Sequence, residues 1–143
     1  MKIEVNLLND AFHMEAVNED GARVHMDTGP DMGGVNGGLR PMQMLLAGLG
    51  GCSAIDVLDI LRKQKQPVTG LSVQVEGERQ KEVVPALWQK IHVHFTFKGQ
   101  VEEAKAQRAV ALSMDKYCSV AKTLEKTATI TSSFEVTTGQ ETS

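Results

Sequence analysis

From Pro41 to about Lys65 the chain carries a helical pattern that is apolar on most sides up to Leu61, PMQMLLAGLGGCSAIDVLDIL over residues 41–61. No other stretch constrains the fold as much, because a helix that is apolar nearly all round must be covered on more than one face. Pro41 suits the first helical position, and Pro67 and Gly70 end the pattern. The last turns become polar, with Asp59 placed to meet Lys63 at i,i+4 and Arg62 at i,i+3. In its middle the helix carries Gly48, Gly50 and Gly51, each costing about 1 kcal/mol against alanine, and Cys52 follows at once. Positions 44, 45, 48, 51, 52 and 55 share one face, so Gly48 and Gly51 lie one turn N-terminal to the sulfur, the direction in which helical side chains lean. The absent side chains leave room for another backbone or for a small molecule at the thiol. Plain helix–helix packing accounts for them equally well.

Around this helix the pattern is mostly strand. KIEVNLL alternates through Ile3, Val5 and Leu7, AFHMEAV offers a second strand, Asp20-Gly21 marks a hairpin turn, and Ala22, Val24 and Met26 alternate in a third. GPDMGGVNGG (residues 29–38) has five glycines and no period, a loop whose length suggests function or mobility. After the helix, Leu71, Val73 and Val75 alternate, then Ile91, Val93, Phe95 and Phe97, with His92, His94 and Thr96 on the opposite face. EEAKAQRAVALSMDKY is an amphipathic helix with Ala106, Ala109, Val110 and Leu112 inward, CSVAKTLEK a short helix, and TATITSSFEVTT a closing strand. The order βββ-α-ββ-α-α-β predicts an α+β domain with its helices on one side of mixed or antiparallel sheets.

The totals narrow the function. Hydrophobic residues make up 41% but aromatics only 4%, so aliphatic and methionine side chains must fill the core. A net charge of −3 argues against a nucleic-acid surface. The longest apolar run, Met44 to Cys52, falls short of the roughly 18 residues of a membrane span, and MKIEVNLLND has no apolar leader core. No nucleic-acid or membrane partner and a cytoplasmic location are therefore expected.

Two cysteines, Cys52 and Cys118, make no disulfide scaffold. In a reducing compartment a bridge between them would be transient and catalytic, while burial alone accounts for many free cysteines. Lys116 and Lys122 lie near Cys118 and favour its thiolate, whereas Asp56, at i+4 from Cys52, opposes ionisation there. Arg40 is the best candidate cation for Cys52, yet it sits about 18 Å away along the helix axis, so it would reach the thiol only by folding back or across a dimer. His92-x-His94 is half of a metal site at most, and no metal is expected. GVNG at 34–37 matches the GXXG of KH domains but has no Lys or Arg from 24 to 39 to hold RNA, and no phosphate-binding Lys-Ser/Thr follows it.

GGLRPMQMLLAGLGGCSAIDVLDIL (37–61) resembles the central-helix signature of the OsmC/Ohr family, and KYCSVAKTLEKTATI (116–130) resembles its second-cysteine segment. The likeness runs from about residue 20 to 136, and CSAIDV, GER and KYCSV resemble the YhfA-type branch more than the classical peroxidases. The resemblance implies a single OsmC-like domain over 1–143, in an intertwined homodimer whose curved sheets wrap around two central helices. It implies reduction of small apolar hydroperoxides, with Cys52 attacking, Cys118 resolving, an external dithiol as reductant and no bound cofactor. Met42, Met44, Leu45, Gly48, Leu49 and Gly51 would line the substrate pocket, and Arg40 would supply the activating charge. Met42 stands where the family's peroxidases carry glutamate, Gln43 follows it, Arg23 and Arg40 are the arginines in the matching stretch, and Ser119 replaces a frequent proline after Cys118. These departures keep a second reading open: a ligand-binding or redox-sensing dimer without turnover.

Overall fold

A computed structural model describes residues 1–138 of the chain. By packing, the chain divides into two compact units, Met1–Leu45 and Leu46 onward. The sheet hydrogen bonds explain the division, since each of the two three-stranded sheets closes within its own unit.

In the first unit, β1 (Ile3–Leu7), β2 (Met14–Asn18) and β3 (Arg23–Met26) form an antiparallel meander. The Asn18 side chain shapes the hairpin by accepting from the N–H groups of Asp20 and Ala22, both at 2.9 Å. The alternating Ile3, Val5 and Leu7 are all exposed, so β1 has an apolar row that its own unit leaves uncovered. The glycine-rich loop is not slack. Buried Asp27 gathers it by accepting from the N–H groups of Thr28, Val35 and Gly37 at 2.7, 3.2 and 2.9 Å. Those donors, Gly37 foremost, hold the Asp27 carboxyl below the usual aspartate range. Gly34 and Gly38 are required here for close approach: a Cβ on either would sit 2.1 Å from the Thr28 carbonyl oxygen or 2.3 Å from that of His25.

Helix α1 (Pro41–Lys63) begins as its proline suggests. The Gln43 side chain reaches back to accept from the Arg40 N–H at 3.0 Å, half of a capping box. Near its far end Asp59 pairs with Lys63 at 3.0 Å, as the spacing predicts. Two long strands follow, β4 (Val68–Arg79) and β5 (Trp88–Gly99), then α2 (Glu103–Leu112), α3 (Ser119–Leu124) and β6 (Thr129–Thr137). The element order is the one read from the sequence. β5 is central in its sheet, antiparallel to β4 and parallel to β6.

The inward row of β5 is the core of this unit, with Ile91, Val93, Phe95 and Phe97 at most 1% exposed. α1 presents Leu49, Gly50, Ser53, Val57 and Leu61 as its buried stripe, and Gly50 lets it approach Val73 and Val75. Each fully buried aliphatic side chain on that stripe contributes about 1.5–3 kcal/mol. By length and composition α1 could cross a membrane, its best 18-residue window having a mean hydropathy of 1.7. A run of consecutive apolar residues is too strict a criterion to find this, because Asp56 and Asp59 interrupt it. Only 28% of that window is buried, as a single stripe, where the sequence leads one to expect cover on more than one face.

One helix departs from expectation. The pattern over EEAKAQRAVALSMDKY predicts regular helix to Tyr117, but α2 ends at Leu112 and a π turn spans Ser113–Tyr117. The Cys118 N–H closes the turn by donating to the Ser113 carbonyl at 2.8 Å, an i to i+5 bond. The outer face of the sheet carries the other surprise. Both ring nitrogens of His92 and of His94 have protein partners: Thr131, Ser133 and Glu135, at 2.6 to 3.0 Å. The parallel pairing of β6 brings those side chains alongside, and hydrogen bonding from His94 lowers the Glu135 carboxyl.

Candidate functional site

The site lies where α1 meets the π turn. Cys52 and Asp56 stand one helical turn apart on α1, and Cys118 leaves the π turn in extended conformation as the N-cap of α3. The two sulfurs and an Asp56 carboxylate oxygen all lie within 4.8 Å of one another. The sulfurs of residues 52 and 118 are thus neighbours, short of the roughly 2.05 Å of a disulfide by less than 3 Å.

The two sulfurs differ in environment. Cys52 is half-buried, while Cys118 is fully buried. The Cys118 Sγ accepts from the Ala121 N–H at 3.3 Å, and the Ser53 hydroxyl lies 3.6 Å away. Burial dominates over these donors and, with Cys52 adding to it, pushes the Cys118 thiol above its ordinary range. Cys118 is therefore held as a protonated thiol, and Cys52 is the sulfur an outside molecule can meet.

Three further side chains shape the cluster. Ser53, itself buried, donates to the Leu49 carbonyl at 2.8 Å and lies 3.6 Å from the Met114 sulfur, tying α1 to the π turn. The Ser113 hydroxyl donates to Asp56 Oδ2 at 3.0 Å and fixes that carboxylate. Sequence reasoning passed over Ser53, Ser113 and Met114, because nothing in their spacing reveals that a π turn sets them against α1. Asp56 was visible from the sequence, but only as a charge opposing Cys52. Asp56 also lines a cleft of about 550 Å³ with Asp59, Ile60, Lys63, Leu112 and Tyr117.

The remaining expected site residues fall out unequally. Gly48 and Gly51 are exposed, and among the described residues a Cβ on either would meet nothing within 4 Å, so there is room at both positions beside Cys52. Leu49 is fully buried in the core rather than facing a pocket. Met42 and Met44 are half-buried and Leu45 is 42% exposed. The cations expected to favour a thiolate at Cys118 are engaged elsewhere, Lys116 over the Tyr117 ring at 5.3 Å and Lys122 with Glu125 at 3.3 Å. Among the described residues from Leu46 onward, no Lys or Arg hydrogen-bonds to either sulfur. The Arg40 guanidinium lies against Gly29 in its own unit.

An α+β chain with one cysteine on a long apolar helix and a second at a helix N-cap beside it defines a recognisable class. A family model described as "OsmC-like protein" matches residues 34–133, and the chain belongs to that family. Protein YhfA of Escherichia coli K12 is 48% identical over 97 residues, 67% of this chain and 72% of that protein. A hypothetical protein from Aquifex aeolicus VF5 superposes with a TM-score of 0.81 at 31% identity, covering 94% of each chain. The fold therefore is OsmC-like. An organic hydroperoxide resistance protein, OsmC, from Legionella pneumophila shares that fold with a TM-score of 0.68 at 17% identity, over 94% of this chain and 97% of that one.

Proposed function

We propose that the protein is a thiol-dependent peroxidase that reduces small apolar organic hydroperoxides, works as a homodimer in the cytoplasm, uses an external dithiol and needs no bound cofactor. The observation that carries this is the pairing of a half-buried Cys52 with a buried Cys118 whose sulfurs lie within 4.8 Å. Family membership, and the organic hydroperoxide resistance for which the Legionella relative is named, support the same reading.

The chemistry follows from the two environments. The Cys52 thiolate attacks the terminal oxygen of the hydroperoxide. The O–O bond breaks, the alcohol leaves after taking a proton, and Cys52 becomes a sulfenic acid. The Cys118 sulfur then attacks the Cys52 sulfur. The S–O bond breaks and water leaves, carrying the Cys118 proton. The external dithiol returns two electrons and two protons by exchange. Dimerisation is supported by the uncovered apolar row of β1 and by Ile55, 71% exposed on α1.

Reduced protein should consume cumene hydroperoxide in the presence of dithiothreitol or dihydrolipoamide, and Cys52→Ser should not. Equal rates for the two proteins would refute the proposal. A second reading, a redox-sensing or ligand-binding dimer without turnover, is favoured by one observation: the nearby lysines are committed to other partners. In that case oxidation forms the disulfide once, and dithiol does not drive repeated cycles.

A further inference from the structure

We infer that Cys52, Asp56 and Cys118 form a binding site for a thiophilic divalent cation of the Zn²⁺ class, with a fourth position open to water. This runs against the expectation of no metal drawn from the histidines, whose ring nitrogens are occupied on the far face of the sheet. Two cysteine sulfurs, each releasing its proton to solvent as the metal binds, and a carboxylate are a donor set that zinc accepts, and chains that hold zinc through three ligands commonly leave the fourth place to water. The three donor atoms lie within 4.8 Å of one another. Around a zinc ion with bonds of 2.0–2.3 Å, such donors would stand about 3.5–3.8 Å apart, so a contraction of roughly 1 Å closes the site.

The surroundings suit a metal better than they suit three unpaired acids. Cys52 and Asp56 project from one face of α1 at i,i+4, a spacing that lets two helical side chains share an ion. Cys118 is fixed by the N–H of Ala121, and Asp56 by the Ser113 hydroxyl on Oδ2. Outer partners of this kind orient metal ligands. The neighbouring lysines are committed: Lys63 to Asp59, Lys122 to Glu125 and Lys116 to the Tyr117 ring. Among the described residues none of these three lysines is paired with the cluster, and a divalent ion would balance its charge. The cleft beside Asp56 gives water a route to the fourth position. Metal and disulfide exclude each other here, because a bridge between Cys52 and Cys118 removes two of the three ligands.

Anaerobic titration of the reduced protein with Co²⁺ tests the site. The expected result is one ion per chain with a thiolate-to-cobalt charge-transfer band, displaced by one equivalent of Zn²⁺. Asp56→Asn should weaken cobalt binding at least tenfold, Cys118→Ser should abolish the band, and protein oxidised beforehand should bind none. Circular dichroism of each variant checks that it is folded. Absence of the band in folded, reduced protein would overturn the site, as would an Asp56→Asn variant that binds as tightly as the parent. Peroxide turnover is read separately, so failure of either proposal leaves the other standing.

Discussion

Oxidation to a Cys52–Cys118 bridge should stabilise the fold by an amount the topology sets. The bridge would close a loop with 65 residues between its ends. In the chain-entropy view, a closed loop of that length removes about 4 kcal/mol of freedom from the unfolded chain. The sulfurs start within 4.8 Å and must reach about 2.05 Å, an approach of under 3 Å that α3 and the π turn have to accommodate. Strain from that movement lowers the gain, so a net 2–4 kcal/mol is expected. With a urea dependence of about 2 kcal/mol/M, the midpoint should rise by roughly 1–2 M. The assay compares urea unfolding of protein oxidised with one equivalent of hydroperoxide against reduced protein at the same concentration, since dimerisation would also shift the midpoint. Cys52→Ser treated alike should not shift. Equal midpoints for oxidised and reduced parent protein, with the bridge verified by loss of free thiol, would refute the claim that the reduced geometry is poised to close.

Three other perturbations follow from single features. Because burial raises the folded Cys118 thiol above the unfolded value of about 8.5–9, the folded state holds a proton the unfolded chain gives up. Stability in reducing buffer should be flat below that value and fall as pH rises toward the folded one, a decline that Cys118→Ser should remove in alkaline unfolding curves. Asp27 is lowered by its backbone donors, so its contribution is complete above about pH 4 and lost as pH falls through the folded value. Asp27→Asn should melt at lower temperature at pH 7 and lose that acid dependence, as calorimetry across pH 2–7 would measure. A Cβ at Gly51 meets no atom within 4 Å among the described residues, so Gly51→Leu should keep folding stability while filling the clearance beside Cys52. A tenfold or greater fall in kcat/KM for cumene hydroperoxide is expected, equivalent to about 1.4 kcal/mol.

Much of this architecture was legible because apolar periodicity reports burial. The alternation Ile91, Val93, Phe95, Phe97 places the core where the sequence puts it, whereas α1, apolar on most sides, is buried along one stripe only. Periodicity says less about what covers a face. Ile3, Val5 and Leu7 alternate as cleanly, yet all three are exposed. Local hydrogen-bond geometry is also hidden from pattern reading. The π turn adds one residue to a loop of helix without disturbing the apolar spacing of α2, so the placement of Ser113, Met114 and Cys118 against α1 could not be read in advance. The glycine-rich loop misleads for a related reason. Gly34 and Gly38 suggest slack, but they are there so that backbone can touch backbone under the hold of a single buried carboxylate. At the site, the two cysteines were visible from sequence alone, whereas the role of Asp56 emerged only once its distance to both sulfurs was known.

Mass spectrometry after one equivalent of cumene hydroperoxide, without reductant, bears most directly on the division of labour between the sulfurs. The parent protein should lose about 2 Da through a bridge between Cys52 and Cys118. Cys118→Ser should instead gain about 16 Da as a sulfenic acid on Cys52, trapped by dimedone. Cys52→Ser should remain unchanged. Oxidation of Cys118 in the Cys52→Ser protein at the parent's rate, or no oxidation of the parent at all, would contradict the account.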